Sequence, residues 1–511
     1  MCEPKIPRRR LLVAGAAVGV GAAAAAVGIP LLRGEDDPAT VTLPDAEPLR
    51  IDHVTVIDPL DGSRQEDISV VVNGGRVTAV GRNVPASQTA STVDGSGRFV
   101  VPGYVNMHTH VLQADQPEAR LAALLAEGVT GMRQMAGSEQ LLRYRAQGRL
   151  PLTEYAPALL AMPGDLLLPF RAGSAEEARE EVRRQRDQGA DFIKTVLFDR
   201  EVFLAAVDEA RAVGLPTAGH LPAQITPEEA AAAGFGCLEH FGTGTPVWIS
   251  CSTEGDALLG RDDTSLPVPN WVLGLPFVEK IVMGQMRKRL VNPAAFDDPE
   301  TVALLRQAID TFDETRAAAL AATWVGSGTW QVPTLVRLRT QFLADDPQYR
   351  QDPAHRLMTP DESEDWRDVL GTFTALPAEM KETYRLAYAT TLRLTKICHD
   401  AGVRMMTGTD SSGATPGQTM RLEFQEMAAA GLSALDILRA ATTAPAEFLG
   451  RTSQAGRVAP GMEADFLLLG ADPLRDVANL SDVTAVVRAG HHLTREQITT
   501  RINTKLAENG S

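Results

Sequence analysis

Between residues 50 and 101, apolar and polar side chains alternate in short runs. These are His53-Val54-Thr55-Val56-Ile57, Ile68-Ser69-Val70-Val71-Val72 and Arg76-Val77-Thr78-Ala79-Val80. Side chains two apart on a strand share a face, so each run predicts a strand, and Asn73-Gly74-Gly75 supplies a hairpin turn between the last two. The same texture returns near the other end, at Gly456-Arg457-Val458, Ala464-Asp465-Phe466-Leu467-Leu468-Leu469 and Ala485-Val486-Val487-Arg488-Ala489-Gly490. Residues 50–103 and 455–495 are therefore expected to pair as one small β-sandwich domain built from both ends of the chain.

Between these ends the pattern changes. Strand-like runs at 104–108, 130–135, 157–162, 191–196, 216–220, 236–240, 331–336 and 403–409 are interleaved with helical periodicity at 117–127, 174–188, 201–213, 227–233 and 378–401. Eight strand–helix repeats predict a (β/α)8 TIM barrel over 104–454, with chemistry at the C-terminal strand ends. The span exceeds a minimal barrel, and the excess lies in 243–330 and 337–380. Both stretches follow strands, so loops or short helices over the C-terminal face are expected. Trp248, Trp271, Leu275, Phe277 and Phe342, beside Arg337 and Arg339, would make them a lid over a small-molecule pocket. Packing against a second subunit in a homo-oligomer is an equal alternative.

Composition narrows the picture. The 511 residues carry a net charge of −16, which argues against nucleic acid as a partner, since that needs a basic surface. Four cysteines fit neither a zinc finger nor a disulfide framework. Cys237 and Cys251 could bridge in an oxidising compartment; separate buried thiols are the simpler reading. At the N-terminus, Arg8-Arg9-Arg10-Leu11-Leu12 precedes an Ala/Gly-rich run over 13–32. This basic, apolar, small order predicts an export signal over 1–33 that is twin-arginine-like, with Pro7 departing from the motif. An uncleaved anchor is the alternative, and it would be the chain's only membrane contact. Residues 34–49, acidic and Pro-rich, read as a linker. The expected location is outside the cytoplasm.

Candidate chemistry begins at Val100–His110, where an apolar run passes through Pro102-Gly103 into His108-Thr109-His110. Two residues apart on a strand, both imidazoles aim at one point, as a metal needs. Further strand ends carry Lys194, His220, His240 and Asp410, and barrel geometry would gather them into one ring. Histidines with a carboxylate suit zinc or a similar ion. Arg133 ends the second strand, where it could hold a substrate carboxylate; an ion pair with an acidic neighbour is the plainer alternative.

With these residues in this order the sequence resembles the amidohydrolase superfamily, in its binuclear branch. It looks most like the imidazolonepropionase/prolidase-like group. Asp191-Phe192-Ile193-Lys194, Gly219-His220, Leu238-Glu239-His240, Gly408-Thr409-Asp410 and Pro460-Gly461-Met462-Glu463-Ala464-Asp465 all fit that group. Gln134 and Met162-Pro163-Gly164-Asp165 depart from it. The resemblance implies two divalent metal ions, with zinc expected, held by His108, His110, His220, His240, Asp410 and a carbamate formed on Lys194. It also implies a metal-bridging hydroxide as nucleophile, with Asp410 as the catalytic proton carrier. The expected reaction is hydrolysis of an amide in a small substrate, a dipeptide or an N-acyl amino acid. Opening of a cyclic amide is the alternative, and a non-catalytic binding protein would have lost a ligand or the aspartate.

Overall fold

The alternating runs at the N-terminal end form β1 (Leu49–Ile57), β2 (Arg64–Asn73), β3 (Arg76–Gly81), β4 (Ser91–Asp94) and β5 (Phe99–Pro102). The middle of the chain supplies β6 (Tyr104–Thr109), β7 (Val129–Gln134), β8 (Ala158–Ala161), β9 (Ile193–Thr195), β10 (Thr217–Gly219), β11 (Cys237–Glu239) and β12 (Trp330–Val332). The C-terminal runs form β13 (Phe466–Leu469), β14 (Val483–Arg488) and β15 (His491–Thr494). The computed structural model describes residues 38–84, 90–114, 117–167, 172–196, 199–242, 245–259, 288–289 and 291–509. The expected export segment and Trp271, Leu275 and Phe277 lie outside the described residues. Among those described, no helix is long and apolar enough to cross a membrane.

The two ends of the chain do pair. They make one eight-stranded sheet in the order β15-β14-β13-β5-β1-β2-β3, with β4 beside β1. The expected second sheet of a sandwich is not seen among the described residues. Alternation divides this sheet between two cores. Ile51, Val54, Val70, Val100, Phe466 and Leu468 share one apolar cluster, whereas Val101, Leu467 and Leu469 belong to the cluster formed with the helices.

The middle strands form a TIM-barrel-like α/β arrangement without a continuous ladder around it. β6-β7-β8 and β9-β10-β11-β12 are two parallel sheets. Isolated parallel bridges join their edges, Leu167 with Thr195 on one side, and Gln331 with Met405 and Thr109 with Ser411 on the other. The run 403–409, expected as the eighth strand, makes no ladder. It lies between β12 and β6 through Met406 N to Gln331 O (2.9 Å) and Met107 N to Thr407 O (2.9 Å). A Cβ on Gly408 would come within 2.5 Å of Val332 and 2.9 Å of His108, so this close approach requires glycine.

Helices at Pro117–Ala126, Ala175–Asp187, Arg200–Ala212, Pro227–Ala232 and Ala378–Asp400 match the periodic stretches. The excess within 243–330 differs from expectation, because much of it is long helix. Pro299–Asp310 starts on Asp298, whose side chain accepts from Thr301 N, and Glu314–Ser327 starts on Asp313 and ends on left-handed Gly328. Trp248 is buried and Phe342 stacks on Tyr384 at 5.6 Å, so both rings are core. Cys237, Cys251 and Cys398 are separate buried thiols.

Glu423, fully buried on the helix Met420–Ala429, accepts Val336 N at 2.9 Å and so caps the helix Leu335–Phe342. Burial pushes its carboxyl up to about 8. A raised folded-state pKa means the native state holds a proton that the unfolded chain releases above its ordinary pKa of about 4.3. This contribution therefore declines as pH rises from about 5 to 8, by up to about 1.4 kcal/mol per pH unit. Glu423→Gln should remove that slope, as read by chemical denaturation of both proteins at pH 5, 6, 7 and 8.

Candidate metal centre

The six candidate ligands come from five strand positions and the run that closes the ring. His108 lies within β6 and His110 one residue past its end. Lys194 lies in β9, while His220 and His240 follow β10 and β11. Asp410 follows the 403–409 run. Asn106, two residues before His108, holds this last piece in place. Its Nδ2 donates to Thr409 Oγ1 at 2.8 Å, and its Oδ1 accepts from Thr409 N at 3.2 Å. Asp410 N donates to His108 O at 2.9 Å. Four non-glycine residues at this end of the ring are left-handed: His240 (φ 53°), Phe241 (50°), Thr334 (43°) and Asp410 (55°). Such backbone costs about 1–3 kcal/mol per residue and concentrates at functional sites.

The side chains meet. Asp410 Oδ1 is 3.0 Å from His108 Nε2 and 2.9 Å from His110 Nε2, and Oδ2 is 3.7 Å from His240 Nε2. The His220 and His240 ring centres are 5.2 Å apart, and those of His108 and His240 are 4.6 Å apart. Ligand atoms of His108, His240 and Asp410 all lie within 4.8 Å of one another. Lys194 is 1% exposed and close enough to Glu239 and Asp410 to feel both charges.

Two imidazoles are oriented by partners behind them. Glu239 Oε2 lies 2.7 Å from His108 Nδ1, and its other oxygen takes the Arg133 guanidinium at 2.6 Å. Thr334 donates its hydroxyl proton to Pro333 O, so its oxygen accepts from His240 Nδ1. Each arrangement puts the proton on Nδ1 and the lone pair on Nε2, facing Asp410. A lone pair 3.0 Å from a carboxylate oxygen is repulsive unless a cation or a proton lies between them. His220 Nδ1 and Nε2, His240 Nε2 and Lys194 Nζ are buried with no hydrogen-bond partner among the described residues. Buried polar atoms of this kind require an explanation, and cations held by this donor set provide one.

Electrostatics agree with that reading. Burial drives the His220 and His240 pKa values well below the ordinary range, so both rings are neutral donors. Burial lowers the Lys194 ammonium to about 8, which makes a neutral amine accessible near neutral pH. Glu239 would be raised by burial, but Arg133 and His108 bring it down to about 2. Burial likewise opposes ionisation of Asp410, and positive charge on the His108 and His240 side, a proton or a bound cation, overcomes it and holds the carboxyl well below its usual range.

Two residues singled out in the sequence have supporting places here. Arg133 points into the barrel interior rather than towards a pocket. It is 1% exposed, donates from Nε to Met107 O at 2.7 Å, and lies between the rings of Phe192 and Phe448 at 5.6 and 5.4 Å. The ion pair, here with Glu239, is therefore what the structure contains. Gln134 supports the turn after the His108–His110 pair, accepting Leu112 N at 3.3 Å and donating to Ala136 O at 3.0 Å. Sequence reasoning gave no role to Glu239, Asn106 or Thr334. The available signal for the first was a glutamate two residues after Cys237 on an otherwise apolar strand.

The amidohydrolase family profile matches residues 385–493, a stretch that includes Asp410. Among curated relatives, a dihydroorotase of Trichlorobacter lovleyi is 43% identical over 56 residues, 11% of this chain and 13% of the relative. An imidazolonepropionase of Idiomarina loihiensis is 33% identical over 66 residues, 12% of this chain and 16% of its own. The chain spans less than half the length of the curated relatives it matches. Among solved structures, a putative prolidase from Bifidobacterium longum aligns with a TM-score of 0.57 at 21% identity, over 90% of this chain and all of the other. The bottromycin amidohydrolase aligns with a TM-score of 0.61 at 21% identity, over 91% of each chain. The barrel-like fold, the profile match over the C-terminal part of the chain and these relatives make the chain similar to proteins of the amidohydrolase superfamily.

Because Glu239 fixes the His108 ring, Glu239→Gln should weaken divalent-metal binding by about 10–100-fold. Competition against a chromogenic chelator would measure it, and unchanged affinity would remove Glu239 from this role.

Proposed function

We propose that the chain is a binuclear metal-dependent hydrolase acting on a carbon–nitrogen bond, an amide in a small substrate such as a dipeptide or an N-acyl amino acid. The observation that carries this reading is the convergence of His108, His110, Lys194, His220, His240 and Asp410, where His220 Nδ1 and Nε2, His240 Nε2 and Lys194 Nζ have no hydrogen-bond partner among the described residues. Two divalent cations, zinc by ligand type, would be held by these residues, with Lys194 serving as a carbamate. An uncharged Lys194 amine, favoured by burial, is the form able to combine with CO₂. We assign the catalytic unit to 104–454, leave the sheet of the two ends without a chemical role, and place the protein outside the cytoplasm on the pattern of residues 8–32.

When bound, the cations would acidify a water and polarise the substrate carbonyl. Asp410, ionised at neutral pH, accepts the proton released as the water oxygen bonds to the carbonyl carbon. It then delivers that proton to the nitrogen as the C–N bond breaks. Asp410 N donates to His108 O at 2.9 Å, which keeps the carboxylate in place between the two transfers. A second reading, opening of a cyclic amide, is favoured by the imidazolonepropionase and dihydroorotase relatives.

Purified protein should carry two equivalents of divalent metal by elemental analysis and turn over members of a dipeptide and N-acyl amino acid library. One equivalent, with turnover of cyclic amides only, would favour the second reading. Asp410→Asn should lower kcat by about 10²–10⁴-fold, with a much smaller change in KM. Lys194→Ala should lose most activity and regain part of it with a short carboxylic acid that fills the gap; full activity without the acid would reject the carbamate.

A further inference from the structure

We propose that a cavity outside the metal centre, lined by the three arginines Arg356, Arg421 and Arg495, binds a small organic carboxylate with a short apolar tail. The cavity measures about 260 Å³ and lies between the second half of the helix Pro117–Ala126, the segment 352–357, the loop 411–419 and the helix Arg495–Asn509. Its floor is apolar and buried, with Leu124, Leu357 and Ile502 no more than 5% exposed. The three arginines are exposed and form its rim. At about 30 Å³ for a water-sized group, there is room for about eight or nine non-hydrogen atoms. None of the six candidate ligands lines this cavity. Ser411, directly after Asp410, forms part of its wall, and the Ser411 carbonyl accepts His110 N at 2.9 Å.

Charge indicates what the cavity takes. Two carboxyl groups also face it, and both are committed to backbone. Asp352 Oδ1 accepts Ala354 N at 2.8 Å, and its Oδ2 accepts Gly417 N at 2.9 Å. Glu127 Oε2 accepts Met420 N at 2.7 Å, and burial pushes its carboxyl up to about 7, so it carries only part of a charge at neutral pH. The arginines are not paired with these groups. Arg495 donates to Val483 O at 2.8 Å, and Arg421 to Gln425 Oε1 at 3.4 Å, close enough to Glu127 to feel its charge. The Arg356 side chain makes no hydrogen bond or ion pair among the described residues. The mouth of the cavity is therefore positive in a chain whose net charge is −16. Such a mouth attracts anions. A planar guanidinium matches a carboxylate in two parallel hydrogen bonds, and the apolar floor accepts the hydrocarbon part.

The test uses the full chain with its metal and two variants, Arg356→Gln/Arg421→Gln, which removes rim charge, and Ala126→Trp, which fills the cavity and keeps the arginines. Folding of each is checked by circular dichroism. Calorimetry titrates hexanoate, hexanamide and inorganic phosphate into each protein. We expect saturable hexanoate binding to wild type, weakened about 10-fold in the double arginine variant and lost in Ala126→Trp. Hexanamide and phosphate should each bind at least 10-fold more weakly than hexanoate, since each lacks one half of the recognition. Phosphate binding as tightly as hexanoate would overturn the apolar-tail claim, and hexanamide binding as tightly would overturn the carboxylate claim. A carboxylate held only at the metal centre would bind the arginine variant as well as wild type, and that result overturns the site, as does no hexanoate binding to wild type.

Discussion

Glu239 is a carboxylate with no exposed surface, held between an imidazole and a guanidinium. The candidate centre depends on this contact. Burying Glu239 alone would be costly; burying it with Arg133 and His108 removes most of that cost and ties β11 to β7 and β6 across the barrel interior. Arg133 in turn donates to Met107 O, immediately before His108. One interaction thus fixes the direction of an imidazole, the packing of a guanidinium between two aromatic rings, and the spacing of three strands. Cys237, on the same face of β11, completes the packing beneath it.

Above this layer, Asp410 has the opposite character. Glu239 faces one imidazole and one guanidinium, whereas Asp410 is crowded by more groups. Three imidazoles and Arg337 approach its two oxygens. The left-handed backbone at Asp410, His240 and Thr334 stores the strain of that crowding at the strand ends, while ordinary strand geometry below supports it. Rigid floor and strained rim are what a preorganised centre needs.

Much of this was legible in the sequence because it is local. Period-two runs located β6 to β11 within two residues and β12 within four, and period 3.6 located Ala175–Asp187 and Ala378–Asp400. Ligand candidates were legible because a polar residue ending an apolar strand is conspicuous. What was not legible depends on partners distant in the chain. Glu239 meets His108 across 131 residues, and nothing in its neighbours announces that contact. The 403–409 run has the composition of a strand, but Gly408 presses so close to β6 that a regular ladder is lost. Arg337 looked like a lid cation because a threonine does not announce the left-handed turn that redirects it inward. The helices Pro299–Asp310 and Glu314–Ser327 did carry caps and apolar spacing, and loops or short helices were expected there because the barrel had no place for longer ones.

The sheet shared by the chain's two ends also has a kinetic side. The strand partner of Val101 is Leu467, so one edge of β5 stays open until nearly the whole chain has been made. Contacts of such long sequence separation form late, because loop closure must precede any gain from pairing. During synthesis β5 is a bare edge with apolar side chains on both faces, the kind of strand that another unfinished copy can pair with. All six candidate ligands, by contrast, precede β13. The ring can therefore gather its donors before the last strands arrive to cover that edge.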